Sequence, residues 1–429
     1  MKIHLRMTGC RLNQAEIETM IRQFHRLGHK VVDDPAEADE IVVNTCAVTL
    51  DANRASRRLV RQLGRANEAA PITVTGCYAQ IAPDEIAILP GVKRIIPNGE
   101  KEALVQQVTG QAADETFDLE PLERDLPGRY GRTRAFVKVQ DGCDNACTFC
   151  ITTVARGVGR SRPVEVVVRE VRMLVEMGYS EVVLTGVHLG SYGHDFGDPD
   201  GLARLVRGIL SETSLPRLRL SSLEPWDLRE DFFALWQDSR LCRHLHLPLQ
   251  SGCDATLRRM ARRTTQQAFF SLVAAARRQI DSLAITTDII VGFPGETDAE
   301  FAESARFVES MRFAGLHVFR YSCRPGTPAA RMRGQIDEPT RKSRSEQMHA
   351  LAERSAREYA ASVIGRAHNV LWEQVAGVTQ DGFMNVGYTD SYVRVQCTHP
   401  RALTGLITPA QALAYDPQRG ALDVRPLLM

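Results

Sequence analysis

From Lys2 onward, short apolar runs alternate with stretches whose apolar positions recur every three or four residues. Lys2 to Thr8, Lys30 to Val32, Glu40 to Thr45, Ile72 to Thr75 and Arg94 to Ile96 predict strands. Between the first two, Ile17, Met20, Ile21, Phe24 and Leu27 form a helical stripe, and Gly28 is a stop signal. Such βαβ alternation predicts a doubly wound parallel-sheet domain over residues 1–115. The tract from about Gln111 to Arg132, with acidic residues, Pro121, Pro127 and glycines, lacks periodicity; residues 116–132 read as a linker.

The pattern then repeats a strand-then-helix unit. Strands are predicted at Ala135 to Gln140, Glu181 to Val187, Arg217 to Ser222, His244 to Leu249, Ala284 to Val291 and Leu316 to Tyr321, with helices such as Val164 to Met177 and Asp298 to Met311 between them. Six units suit a partial (βα)6 barrel over residues 133–362, whose active-site groups gather at the strand carboxyl ends. After about Gly365 the runs Asn369 to Trp372, Phe383 to Tyr388 and Tyr392 to Gln396 predict a small β-barrel, placed at residues 363–429. Barrels of this size bind oligonucleotides or serve as packing modules. The whole is an α/β chain of three domains.

Composition narrows the class. The 429 residues exceed one compact core. No apolar run approaches the roughly 18 residues of a membrane span, and the amino terminus has no export signal, so a cytoplasmic protein without a membrane partner is expected. Ten cysteines in a reducing compartment point to metal ligation or catalysis rather than disulfides. The net charge of +1 conceals basic bunching at Arg129 to Lys138, Arg156 to Arg162, Arg258 to Arg263 and Arg324 to Arg344. Each bunch is either a phosphate-binding patch or a solvated helix face.

The most specific signal is the loop Cys143-Asp144-Asn145-Ala146-Cys147-Thr148-Phe149-Cys150, directly after the first barrel strand. Three thiolates leave one iron of a cubane cluster with an open site, where an amine and a carboxylate can chelate. S-adenosylmethionine bound there can accept an electron into its sulfonium and release a 5′-deoxyadenosyl radical. The alternative is a structural zinc with a fourth ligand such as His188 or His194. A second trio, Cys10, Cys46 and Cys77, shares no local spacing, yet each cysteine ends a predicted strand of one parallel sheet, and Gly9 and Gly76 flank two of them. Such edges assemble ligand sites, so the trio predicts a second cluster; three buried core cysteines are the alternative.

These motifs, with Gly9-Cys10-Arg11-Leu12-Asn13-Gln14, His246-Leu247-Pro248-Leu249-Gln250-Ser251-Gly252 and Thr287-Asp288-Ile289-Ile290-Val291-Gly292-Phe293-Pro294-Gly295-Glu296-Thr297, resemble the radical S-adenosylmethionine methylthiotransferases along nearly the whole chain. The resemblance implies an amino-terminal methylthiotransferase domain, a radical barrel and a TRAM β-barrel. It implies two 4Fe-4S clusters, an auxiliary one on Cys10, Cys46 and Cys77 and a radical one on Cys143, Cys147 and Cys150. Phe149 matches the aromatic that seats the adenine of S-adenosylmethionine, and the strand end with Thr185, Gly186 and His188 matches the one that holds its methionine moiety. Glu224, His246, Gln250 and Asp288 stand at other strand ends facing that pocket, or are structural polar groups.

His317-Val318-Phe319-Arg320-Tyr321-Ser322 and Gly387-Tyr388-Thr389 resemble the branch acting on threonylcarbamoyladenosine at tRNA position 37; sibling branches act on isopentenyladenosine or a ribosomal-protein aspartate. Cys323 and Cys253 depart from that branch's pattern. The implied partners are a tRNA anticodon stem-loop, a flavodoxin- or ferredoxin-like reductant and a sulfur source. Carbon 2 of adenine carries no acidic hydrogen, so side-chain acid–base chemistry cannot install sulfur there and radical chemistry is required. One S-adenosylmethionine would methylate the sulfur and a second would supply the radical. A non-catalytic iron-sulfur redox sensor that binds RNA is the reading of another class.

Overall fold

The computed structural model describes residues 1–112 and 133–427, so the expected linker lies outside the described residues. The first unit has five parallel strands, β1 (Lys2–Met7), β2 (Lys30–Val31), β3 (Glu40–Thr45), β4 (Ile72–Gly76) and β5 (Val92–Ile96), in the order β2-β1-β3-β4-β5. Helix α1 (Arg11–Arg26) buries Ile17, Met20 and Phe24 on one face against Ile3 and Val42. Helix α2 (Leu50–Ala66) buries Val60 and Leu63 on the other, against Ile41, Val43 and Val74. Every residue of β3 and β4 is buried, as strands covered on both faces must be. The order reverses between β1 and β3, which opens a crevice at their carboxyl ends.

The central unit has six parallel strands, β6 (Arg134–Lys138), β7 (Glu181–Thr185), β8 (Arg217–Leu220), β9 (His244–His246), β10 (Ala284–Val291) and β11 (Gly315–Arg320). They pair as β6-β7-β8 and β9-β10-β11, and the bridges Leu218 to Leu241 and Ser222 to His246 join the halves into one open curl. Helices Val164–Glu176, Gly201–Glu212, Gln266–Gln279 and Asp298–Ser310 cover the outside. The strand expected from His244 to Leu249 stops at His246, because Pro248 has no N–H to pair and Gln250 turns the chain at φ 75°.

A 25-residue helix, Glu338–Ser362, then leads to a closed barrel of β12 (Ala367–Thr379), β13 (Gly382–Thr389), β14 (Arg394–His399), β15 (Ile407–Asp416) and β16 (Ala421–Pro426) around Trp372, which is 0% exposed. The first two predicted runs fall in β12 and β13, the third starts in the turn two residues before β14, and β15 and β16 complete the closure.

The three units interlock. Helix α1 lies against β6 at the open side of the curl, where Glu18 accepts from Phe136 N at 3.3 Å and Arg22 pairs with Glu170 at 2.7 Å. Tyr392, between β13 and β14, stacks on Tyr388 with centroids 5.0 Å apart and sits under Arg11, Arg134 and Arg219. No helix among the described residues is long and apolar enough to cross a membrane.

Candidate cluster and cofactor site

The carboxyl ends of the adjacent strands β1, β3 and β4 deliver Cys10, Cys46 and Cys77 to one crevice. Gly9 (φ 101°) and Gly76 (φ 100°) adopt left-handed backbone there, and a Cβ on Gly9 would collide with the Cys46 side chain. Burial above all, and then the charges of Cys10 and Cys77, push the Cys46 thiol up to about 11. Such a thiol becomes a ligand only with cations beside it. Arg156 Nε donates to Cys77 Sγ at 3.2 Å, and Asn98 Nδ2 lies 3.8 Å from the same sulfur. Arg324 is 3% exposed and feels the charge of Cys46, while its Nε and Nη1 have no hydrogen-bond partner. Three thiols and an unsatisfied guanidinium fit an anionic, thiolate-held guest such as an iron-sulfur cluster.

The Cys143 to Cys150 loop is pinned from outside. Cys143 N donates to Gly157 O at 3.0 Å, and Thr148 is held by its Oγ1 to Arg259 O at 2.8 Å and its N to Met260 O at 3.0 Å. Backbone N–H groups of Asn145 and Thr152 lie 3.4 Å from Cys143 Sγ and Cys150 Sγ. Burial raises the Cys147 thiol to about 11, against the pull of Arg262, whose Nη1 stands 3.7 Å from the sulfur. Among the described residues, His246, Asp288 and His317 form the one trio of His, Cys, Asp or Glu whose donor atoms all lie within 4.8 Å of each other. One tetrahedral zinc draws its sulfurs to about 3.8 Å, so the wider cysteine trios suit a guest of several metal atoms.

A single short helix, α3 (Thr152–Arg156), joins the two trios. It starts two residues after Cys150 and ends in Arg156, which besides Cys77 holds Glu16 and Asp141 at 2.9 Å and Asn13 at 2.8 Å. Lys101 meets the same Glu16 at 2.8 Å, and its cation with that of Arg156 keeps the buried carboxyl well below the ordinary carboxylate value despite the opposing effect of burial.

The other expected site residues divide into two groups. Near the cysteine loop, His188 hydrogen-bonds Asp227, and Asn145 Nδ2 lies 3.3 Å from its ring. Burial opposes the charged ring, yet the bonds to Asp227 and Cys143 prevail and hold its pKa up at about 10. Thr185 ends β7 and Gly186 follows it, with Gln140 Oε1 against Gly186 and accepting from His188 N at 2.9 Å. Glu224 binds Arg262 through both oxygens, at 2.6 and 3.1 Å. Phe149 packs against the cluster of Met260, Phe293, Tyr321 and Ala329. Away from the loop, Gln250 N donates to Asp288 O, while the Asp288 side chain faces His246 at 3.3 Å. Asp288 lies mid-strand rather than at a strand end, because β10 runs past the shorter β9.

With this geometry in place, the comparisons decide the family. The radical SAM superfamily matches residues 137–308, and uncharacterized protein family UPF0004 matches residues 2–96. The threonylcarbamoyladenosine tRNA methylthiotransferase of Bacillus subtilis is 37% identical over 94% of this chain and 92% of its own. The chain belongs to the radical S-adenosylmethionine methylthiotransferase family. The tRNA-2-methylthio-N(6)-dimethylallyladenosine synthase of a Parafrankia species is 35% identical over 97% of this chain and 87% of its own. The radical S-adenosylmethionine methyltransferase TsrM from Kitasatospora setae shares the fold, with TM-score 0.55 and 15% identity over 88% of this chain and 81% of its own. As a radical S-adenosylmethionine methylthiotransferase, the protein uses S-adenosylmethionine and iron-sulfur chemistry.

Several residues of this methylthiotransferase escaped the sequence patterns. Arg156, Arg262, Arg324 and Asp227 line the two cradles, and three of them lie inside stretches that read only as basic bunches. Several of their described arginines are paired internally: Arg134 with Glu373, Arg162 with Glu170, Arg259 with Glu300 and Arg344 with Glu296. Exposed arginines remain in them at Arg258, Arg263, Arg331 and Arg333, and others line one face of α2, at Arg58, Arg61 and Arg65.

Proposed function

We propose that this methylthiotransferase installs a 2-methylthio group on N6-threonylcarbamoyladenosine at position 37 of tRNA, with two 4Fe-4S clusters and two molecules of S-adenosylmethionine. The observation that carries the reading is α3, which runs from beside Cys150 of one cysteine trio to a buried arginine bonded to Cys77 of the other. Cys143, Cys147 and Cys150 would hold the radical cluster, and Cys10, Cys46 and Cys77 the auxiliary one. When bound, these groups supply the electron that cleaves S-adenosylmethionine and the sulfur that is transferred.

The chain's own side chains do the rest. Arg262, fixed by Glu224, places a cation beside Cys147. His188, on Asp227, places another beside Cys143, at the strand end of Thr185 and Gly186 that would hold the methionine moiety. Phe149 offers its face to the adenine. Arg156 and Arg324 balance the negative charge of the auxiliary trio. The closed β-barrel and the α2 arginines supply a surface for RNA phosphates. A small iron-sulfur or flavin protein serves as electron donor, and a separate sulfur source restores the auxiliary site.

The test is mass spectrometry of nucleosides from tRNA incubated anaerobically with reconstituted protein, reductant and S-adenosylmethionine. Methylthiolated threonylcarbamoyladenosine is expected, with 5′-deoxyadenosine. Removal of Cys46 and Cys77 should abolish the methylthio product but leave 5′-deoxyadenosine formation. A wild type that binds RNA yet makes no 5′-deoxyadenosine would instead be a redox sensor.

A further inference from the structure

One polar cluster on the inner wall of the curl belongs to neither cysteine cradle. His246, Asp288 and His317 stand on three neighbouring strands, with Asp288 opposite His317 in the β10–β11 register. Leu245, Ile289 and Val318, the alternating neighbours, pack into the outer core, so the trio faces the lumen. His246 Nε2 lies 3.3 Å from Asp288 Oδ1, and the two imidazole rings are 5.6 Å apart. Phe319, on the same face as His317, is 41% exposed. From across the lumen Arg11, at the start of α1, donates through Nη2 to Tyr392 Oη at 2.9 Å, and its charge reaches both His244 and His317. Asp288 is engaged with His246, so the wall presents hydrogen-bonding imidazoles faced by the guanidinium of Arg11.

We propose that this wall is the subsite for the substituent on the nucleoside's N6, and that Arg11 and His317 grip a carboxylate on it. The inference deepens the reading given under Proposed function and rests on it. The two nucleosides in the relatives' names differ at this substituent: threonylcarbamoyl ends in a carboxylate and a hydroxyl, dimethylallyl in methyl groups. A dimethylallyl group would strip water from Arg11, two histidines and an aspartate and return no partner. A carboxylate matches the flat fork of a guanidinium, whose remaining N–H groups are available beyond Tyr392. The hydroxyl finds an acceptor in Asp288. The three side chains also stand close enough for a divalent cation, but the fixed charge of Arg11 opposes one.

Anaerobically reconstituted full-length protein is titrated with fluorescent anticodon stem-loops carrying threonylcarbamoyladenosine, its methyl ester, dimethylallyladenosine or plain adenosine. Wild type is expected to favour the acid over the ester by about tenfold or more. Arg11→Gln and His317→Leu should each erase that preference while plain adenosine binds as before, and Arg11→Lys should restore part of it. Equal wild-type affinity for acid and ester overturns the subsite even if no variant folds. Retention of the full preference by both variants overturns the assignment to these residues. One non-iron divalent metal per chain, removed by Asp288→Asn, overturns it in favour of a metal centre. Product from dimethylallyladenosine and none from threonylcarbamoyladenosine would count against the functional reading itself, a result read from turnover rather than from these affinities.

Discussion

At the scale of single residues, Arg156 concentrates the most interaction in the least space: one sulfur, two carboxylates and an amide meet its guanidinium in a buried setting. Arg156→Met leaves Glu16 and Asp141 short of a counter-charge, and we expect a loss of about 3 kcal/mol in urea unfolding of the apo chain. Arg156→Lys should recover only part, since one ammonium cannot serve four partners in a plane. Iron content gives a second check. Replacing Cys46 and Cys77 by alanine should lower reconstituted iron from about eight to about four per chain; an unchanged value would show that the auxiliary trio holds no cluster. The cysteines were legible in the sequence because thiol spacing and strand ends are local facts. Arg156 was not: six residues beyond Cys150 it reads as one more basic position, since a string of letters reports charge but neither burial nor partner.

Among the elements, the parallel strands announced themselves through apolar runs, and α1 through its stripe. The carboxyl-terminal barrel was only half legible. Strand β15 carries Pro409, a residue that ordinarily argues against a strand, and β16 ends in Pro426. The helix Glu338–Ser362 also escaped, because its buried set mixes Arg344, Ser345 and Ser355 with Met348 and Leu351, which blurs any apolar stripe. The turn between β13 and β14 fastens the barrel to the other two units. Tyr392 there touches Tyr388, His244 and three arginines from two other units. Tyr392→Ala should lower stability by about 2–4 kcal/mol, measured by denaturant unfolding. Tyr392→Phe should cost far less, because the ring faces remain.

For the molecule as a whole, the floor of the curl is an acid-sensitive joint. Glu181 is buried at the foot of β7 and pairs with Arg217 at 2.8 Å and Arg219 at 2.7 Å. Burial alone would raise its pKa; the two arginines overcome this and hold it at about 2, against an ordinary 4.5. The folded value is the lower one. The stabilisation is therefore complete above about pH 4.5 and disappears as pH falls toward 2, an effect of about 3 kcal/mol by linkage. The stability gap between wild type and Glu181→Gln, followed by urea unfolding, should shrink over that window; a gap independent of pH would refute the assignment. Arg219 also donates to Asp390 O and Thr389 O, so acid should loosen the β-barrel's attachment along with the curl.

Helix α3 bears on how the protein matures. The crevice of Cys10, Cys46 and Cys77 is built from the first 80 residues, but its arginine wall arrives only once residues 152–156 have folded against it. Iron delivered to a nascent amino-terminal half would meet an unfinished cavity with Glu16 still short of Arg156. On the proposed ligand assignment, loading would follow docking of the central unit, with five residues of helix setting the span between the two trios beforehand.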